Sequence, residues 1–336
     1  MREPGRRSLW ARLYHGETNF DFVGPIRRWL TISGLVILVG LVSLATRGLN
    51  FGIDFRGGTA WEVPTTNPSV ERARDALAPL GLDDAKVQVL GKNVLRVQAD
   101  NPGGSPEERK AQQETVARAL AESEGVEVSR VSVNQVGPSW GNEITKKARN
   151  ALLAFLVVIT IYISFRFEPK MAIASLAALF HDILVTVGVY SLSGFEVTPA
   201  TVVAFLTILG YSLYDTIVVF DKVDENTKGL AATGRMTYAD VVNLSMNQVL
   251  MRSLNTSLVA ILPIFSVLVV GAFILGATTL QDFGLALLIG LLTGAYSSLF
   301  IASPVLAILK EREPRYASIR QRLESRPGSG GPLTPA

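Results

Sequence analysis

The chain has 336 residues, of which 48% are hydrophobic and only 18% are charged, with a formal net charge of +3. Ordinary soluble proteins carry about 25% charged residues, so the composition excludes a soluble globular chain and, over most of its length, intrinsic disorder. The small net charge gives no reason to expect nucleic acid as a partner. The absence of cysteine and the presence of only two histidines, His15 and His181, exclude disulfide scaffolds and thiolate or histidine-rich metal sites. The sequence predicts a membrane protein with no metal and no organic cofactor.

Six apolar stretches are long enough to cross the roughly 30 Å hydrocarbon core of a bilayer. The alternative for the first is a cleaved signal peptide. The long polar segment before Trp29 and the lack of a small-residue cleavage site after the apolar core argue against that alternative. The predicted transmembrane helices are 29–46, 148–167, 171–190, 199–220, 252–270 and 283–309.

The distribution of Lys and Arg predicts the orientation, because cytoplasmic connections of membrane proteins are rich in these residues. The short connections 191–198 and 271–282 carry none. Both termini are therefore predicted to be cytoplasmic. The segments on that side carry 17 Lys and Arg residues and are the N-terminal tail 1–28, the link 166–170, the loop 222–248 and the C-terminal tail 310–336.

Segment 48–146 is a long polar block, predicted to form one extracytoplasmic α+β domain between the first and second transmembrane helices. Strand, helix, two strands, helix and strand is the order of a ferredoxin-like domain. The block has no histidine and its carboxylates are scattered, so a module for contact or stability is favoured over catalysis. The predicted elements are strand 59–65, helix 68–80, strand 86–91, strand 93–99, helix 106–123 and strand 126–134.

Two other segments have distinct compositions. The loop 222–248 is predicted to contain a short interfacial helix that begins near Thr237, because apolar residues recur there at helical spacing. The tail 325–336 is rich in Pro, Gly and Ser and is predicted to be disordered.

Three charged residues lie in or at the ends of predicted spans, where a charge costs about 2.5–3.5 kcal/mol at the helix centre. Asp215 and Arg252 lie near the cytoplasmic ends of consecutive spans, at matched depth, and could therefore meet. A carboxylate whose proton affinity depends on a movable partner can carry a proton, so Asp215 and Arg252 are candidates for a proton relay. The alternatives are a static buried ion pair, or an Arg252 that extends to the lipid headgroups.

The third charge, Asp182, follows His181 near the middle of its span. This pair could extend a relay or form hydrogen bonds between helices. Ser212 shares a helix face with Asp215, since it lies three residues earlier. Two intramembrane carboxylates also suggest an aspartyl protease, but such a dyad needs adjacent groups that share one proton. Asp182 and Asp215 differ in depth, and the Gly-x-Gly-Asp pattern of those enzymes is missing.

Several motifs resemble those of the SecD/SecF protein-export family. Gly52–Thr59 (GIDFRGGT) resembles the family's GIDF-x-GGT signature, with its Gly52, Asp54, Gly57 and Gly58. The run 210–221 (GYSLYDTIVVFD) resembles the SecF fourth-span signature, and 252–257 (RSLNTS) resembles the start of its fifth span. The family also has the His181-Asp182 pair at that place. The likeness covers about 20–310, and six spans with one outer domain resemble SecF rather than the SecD half.

The resemblance implies a multi-pass subunit of the bacterial inner membrane, in the resistance–nodulation–division superfamily. SecF proteins pair with SecD and assist the SecYEG channel and its SecA motor, using the proton gradient to help export preproteins. The family places its essential membrane carboxylate at Asp215 and the coupled arginine at Arg252. One departure is Arg56, where a small polar residue is commoner. No covalent reaction is implied, so the chain is not expected to be an enzyme.

The Gly52–Thr59 motif has two interpretations, a hinge that transmits helix motion to the outer domain or a plain linker with unusual backbone angles. The sequence also leaves two alternatives to a proton-driven translocase subunit. These are a proton-driven small-molecule or lipid exporter of the same superfamily, and a scaffold of the translocase that conducts no protons. Contacts with the preprotein and with membrane lipids are expected for a translocase subunit.

Overall fold

A computed structural model describes residues 18–100, 105–230, 236–274 and 278–325. A bundle of long helices carries a small α+β domain inserted between its first two members. The helices are α1 Ile26–Arg47, α2 Ile53–Arg56, α3 Val70–Leu77, α4 Pro106–Glu124, α5 Pro138–Arg166, α6 Pro169–Ser193, α7 Pro199–Leu230, α8 Tyr238–Ser266, α9 Thr278–Ser297, α10 Ser303–Glu311 and α11 Pro314–Glu324. The strands are β1 Asn50–Phe51, β2 Gly58–Pro64, β3 Lys86–Leu90, β4 Val94–Ala99, β5 Ser132–Val136 and β6 Glu196–Val197. Wider π-helical turns, Val267–Ile274 and Ser298–Ala302, follow α8 and α9.

All six predicted spans are confirmed as helices long and apolar enough to cross a membrane. Most of these helices are longer than predicted, and three of them by ten residues or more at one end, because hydropathy marks only the apolar part of a helix. Helix α5 begins ten residues before 148, α7 continues ten residues beyond 220, and α8 begins at Tyr238 instead of 252.

The predicted loop 222–248 is therefore mostly helical, and its predicted short helix is the first part of α8. Thr237 begins that helix as expected. Its hydroxyl accepts a hydrogen bond from the Asp240 backbone N–H, and the Asp240 carboxylate accepts one from the Thr237 N–H, which is a capping box. The tail predicted to be disordered lies outside the described residues from 326 onward.

The inserted domain has a four-stranded antiparallel sheet in the order β3–β4–β2–β5. Helices α3 and α4 share one core with the sheet, built around Trp61, Leu77, Leu95 and Leu120. The chain order of strands and helices agrees with the prediction. Only the last strand is displaced, since 128–130 form a 3-10 turn and the strand occupies 132–136 instead of 126–134.

Helices α1 and α6 cross at two glycines. A Cβ atom added to Gly188 would lie 2.8 Å from the Cα of Gly40, so the backbones are in direct contact there. Nearby, the Ser43 and Ser191 hydroxyls are 2.9 Å apart and hydrogen-bonded. Small residues permit such close crossings in membranes, where packing drives helix association.

The segment before α1 is attached to the first part of α8 by two asparagines. Asn247 accepts a hydrogen bond from the Phe20 N–H and donates one to the Phe20 carbonyl, both at 2.8 Å, and Asn243 accepts one from the Phe22 N–H at 2.7 Å. Asn247 is buried. Its amide replaces the backbone partners that residue 20 would otherwise need.

We expect Asn247→Ala to release this segment while the bundle stays folded. The variant loses the two hydrogen bonds to the Phe20 backbone, and each contributes about 0.5–1.5 kcal/mol. Limited proteolysis of the purified protein in detergent should show faster cleavage near residue 20. The neighbouring exposed amide provides the control, since Gln248 bonds Asn226 instead. Equal cleavage rates in Asn247→Ala and Gln248→Ala would contradict the attachment.

Candidate functional site

Asp215 of α7 is buried where three helices meet. The Ser253 hydroxyl of α8 lies 2.5 and 2.6 Å from its two carboxylate oxygens, and the Ser298 hydroxyl after α9 lies 2.5 Å from Oδ2. Hydrogen bonds to an ionised acceptor are short and stronger than neutral ones. A single carboxylate therefore connects α7 to both neighbouring helices.

Arg252 does not form the expected ion pair with Asp215. The two residues lie at the same level, since Ser253 bonds Asp215 directly. The Arg252 side chain is exposed, and the described residues provide it with no salt bridge or side-chain hydrogen bond. Successive residues of an α-helix are rotated by about 100°, so with Ser253 facing α7, Arg252 points away.

Asp182 of α6 is the second buried carboxylate of the bundle. The Ser212 hydroxyl of α7 donates to its Oδ2 at 2.5 Å, and Nδ1 of His181 lies 3.3 Å from its Oδ1. The His181 ring stacks on Tyr296 of α9 with centroids 5.8 Å apart. Within the described residues the two carboxylates share no hydrogen bond, and each has its own serine donor. This arrangement differs from the shared-proton dyad of an aspartyl protease.

Two glycines of α9 let it approach α7 closely beside these carboxylates. A Cβ atom on Gly294 would lie 2.8 Å from Cβ of Ser212, and one on Gly290 would lie 2.3 Å from the Ile208 side chain. C-terminal to this contact, α9 continues into the wider π-helical turn Ser298–Ala302, which precedes α10. Such turns recur at functional positions, and here the turn begins at the serine that bonds Asp215.

The Gly52–Thr59 motif forms a compact joint between the domain and the bundle. Strand β1 pairs in parallel with β6, the short link between α6 and α7. A Cβ on Gly52 would lie 2.5 Å from the Glu196 carboxylate, and one on Gly141 would lie 2.8 Å from the Phe55 carbonyl. Gly57 and Gly58 have φ of 79° and 134°, which strongly favour glycine. Asp54 lies in the short helix α2, facing a cavity at this junction.

Buried charges at this junction were missed by the sequence analysis. Glu196 accepts a hydrogen bond from the Gln98 amide at 2.8 Å and pairs with Nη1 of Arg96 at 3.3 Å. Burial lowers the pKa of the nearby Lys86 ammonium, and Glu196 opposes that shift. The only sequence signal was Glu196 itself, a lone carboxylate in an otherwise uncharged connection.

The serines around the carboxylates were also missed, apart from Ser212. Serine is common in membrane helices, where it often bonds its own backbone, so Ser253 and Ser298 carried no signal of their own. Only the packing of α7 against α8 and α9 identifies them.

Comparison with known proteins places this arrangement in a family. Residues 115–312 match the model "Protein export membrane protein SecD/SecF, C-terminal". This range includes both buried carboxylates, Asp182 and Asp215, and the serines that bond them. Residues 42–68 match the SecD/SecF GG motif. The chain is 43% identical to the protein translocase subunit SecF of Streptomyces coelicolor, over 96% of this chain and 85% of that protein. The chain belongs to the SecF family.

Other members and a solved structure agree with this assignment. The SecF subunit of Mycobacterium tuberculosis is 41% identical, over 98% of this chain and 75% of that protein. The crystal structure of SecDF from Thermus thermophilus, a translocon-associated membrane protein, superposes with a TM-score of 0.77 at 35% identity. That match covers 88% of this chain and 39% of the SecDF chain. The protein is thus a multi-pass membrane protein of the protein-transport machinery.

Proposed function

We propose that this chain is an accessory subunit of the Sec preprotein translocase that works with a SecD partner and uses the proton-motive force. The observation that carries the proposal is the buried Asp215, whose two oxygens connect α7 to α8 and α9 through serine hydroxyls. Protonation turns a carboxylate that accepts several hydrogen bonds into a neutral acid that also donates one. A proton on Asp215 would therefore change the contacts among three helices.

In this mechanism Arg252 acts at a different stage from the one captured in the structure. It adjoins Ser253 in the chain, so a rotation of α8 that breaks the Ser253–Asp215 bond would bring its guanidinium towards Asp215. The resulting ion pair would favour the ionised carboxylate and release the proton. Ser212, one turn before Asp215 in α7, bonds Asp182 of α6. Through this bond the polar path continues to Asp182 and His181.

The energy available is sufficient for such a rearrangement. One proton that crosses about 150 mV releases about 3.5 kcal/mol, which shifts a two-state equilibrium more than a hundredfold. The inserted domain, which we assign as ferredoxin-like and extracytoplasmic, would receive the motion through the Gly52–Thr59 joint. Both termini would then be cytoplasmic, as the distribution of Lys and Arg predicts. The expected partners are SecD, SecYEG with SecA, the preprotein and membrane lipids.

The test is export of a reporter preprotein into inverted vesicles that contain this chain, its SecD partner and SecYEG with SecA. We expect Asp215→Asn and Arg252→Met each to lose the gradient-dependent part of export and to keep the part driven by ATP alone. The control is Asp221→Asn, also in α7, whose half-exposed carboxylate pairs with Arg166 at 2.7 Å. Undiminished gradient-driven export in Asp215→Asn would instead support a scaffold that conducts no protons.

A further inference from the structure

A polar cavity of about 490 Å³ lies where the α+β domain meets the bundle. Its domain side includes Asp54, Glu62 and Arg96, and its bundle side includes Ala200 and Asp282. Three carboxylates and one guanidinium give this wall an excess of negative charge. A polar cavity of this size readily holds water that hydrogen-bonds its charged groups.

Within the described residues, Arg96 has carboxylate partners and the Asp282 carboxylate has none. Arg96 is only 8% exposed and pairs with Glu196 at 3.3 Å and with Glu62 at 3.6 Å. The Asp282 carboxylate forms no hydrogen bond or ion pair within the described part of the chain. Only its backbone carbonyl accepts a bond, from the Tyr190 hydroxyl at 3.4 Å. The cavity therefore extends to a carboxylate that has no partner among the described residues. The charged groups that act on this carboxylate are Glu196, Arg96, Glu62 and Asp54.

Asp282 and the Asp215 site lie on the same helix–helix contact. Asp282 is in the first turns of α9, and Ser298, which bonds Asp215, follows 16 residues later, about 24 Å away along the helix. Between them, α9 packs closely on α7. The residues there are small or apolar and buried, namely Ala204, Ile208, Ala286 and Gly290. This apolar block separates the cavity from Asp182 and Asp215.

We infer that the cavity is the site where protons are taken up from the outer side, with Asp282 as the acceptor, and that the apolar block seals it from Asp215 in this conformation. This inference rests on the proposed function. The Asp282 carboxylate takes a proton from a hydronium ion and leaves a water molecule. When α7 and α9 separate at their small residues, the proton passes to water in the opened contact. The excess of carboxylates in the wall concentrates hydronium ions near Asp282.

The first test measures hydration, and the absence of native cysteine makes it direct. Ala200 lines the cavity, and Ala204, one turn deeper in α7, is fully buried. A membrane-impermeant maleimide applied from the outer side should label Ala200→Cys and leave Ala204→Cys unlabelled. An unlabelled Ala200→Cys would overturn the hydrated cavity, and equal labelling of both variants would overturn the seal.

The second test varies the pH sealed inside the inverted vesicles, which is the pH of the outer side. In Asp282→Asn the cavity lacks its proton acceptor, so proton uptake depends on the concentration of free hydronium. Gradient-driven export by this variant should therefore fall about tenfold for each unit rise in the internal pH. The wild type and Asp282→Glu should respond less steeply. Asp75→Asn, an exposed carboxylate of the same domain, is the control.

The two proposals fail in different ways. If Asp215→Asn keeps its gradient-driven export, the proton-driven function itself is wrong. If Asp215→Asn loses it while Asp282→Asn follows the wild type at every internal pH, only the role of Asp282 is overturned. Co-purification of each variant with SecD shows that it is folded. If Asp282→Asn fails this check, Asp282→Glu replaces it. Export by Asp282→Glu with the pH dependence of the wild type would support Asp282 as the proton acceptor. A fall in export of about tenfold per pH unit in Asp282→Glu would overturn that role.

Discussion

Replacing both Ser253 and Ser298 by alanine is expected to abolish gradient-driven export, as completely as Asp215→Asn does. These hydroxyls are the donors that the described residues give to the Asp215 carboxylate. Each bond to a charged group contributes about 1.5–3 kcal/mol and favours the ionised carboxylate. Without both donors, the release of a proton from Asp215 loses this support.

Two measurements check this expectation. Export in vesicles should show only the ATP-driven part, and infrared spectroscopy should show a protonated carboxyl band that disappears when Asp215→Asn is added. Ser266→Ala is a control in the same helix, since the Ser266 hydroxyl bonds the Leu262 carbonyl of its own backbone. Normal gradient-driven export in the double variant would mean that the serines play no part in the relay.

The variant Gly188→Leu is expected to destabilise the bundle by about 2–4 kcal/mol. Even a Cβ at this position would lie 2.8 Å from the Gly40 Cα, so α1 and α6 must separate. Their separation also breaks the Ser43–Ser191 hydrogen bond.

Thermal unfolding in detergent should show a clearly lower Tm for Gly188→Leu. Gly34→Leu is the matched control in α1, because nothing lies within 4 Å of a Cβ atom there. Leucine is also favourable on a lipid-facing surface, so this control should be neutral. A similar loss of stability in both variants would mean that the contact between the two glycines is not what limits the crossing of α1 and α6.

The contacts of the Gly52–Thr59 joint favour a hinge that transmits helix motion over a plain linker. A plain linker would have few contacts. Here Gly52 donates a hydrogen bond to the Val197 carbonyl of β6 and lies close to Glu196, and Phe55 lies against the start of α5. A segment held on several sides transmits displacement, because packed contacts resist continuous deformation. We therefore favour transmission of motion from the ends of α6 and α7 to the domain.

The class of protein, the six spans and the family follow from the amino-acid sequence alone. These properties depend on hydropathy over some 20 residues and on local motifs, which need no knowledge of distant contacts. The sequence also singled out Asp182 and Asp215, because a carboxylate inside an apolar stretch is conspicuous wherever the helix packs. The order of strands and helices in the inserted domain followed from local pattern in the same way.

Which side chains meet depends on the packing of the helices and is seen only in the folded structure. Asp215 bonds Ser253 and Ser298 and leaves Arg252 exposed, because a rotation of about 100° per residue determines which of two neighbouring side chains faces α7. The Glu196–Arg96 pair and the cavity at Asp282 join residues far apart in the chain, and nothing in their local sequence marks that contact. Depth along a helix can be read from residue numbers, whereas the direction of a side chain depends on how the helices pack.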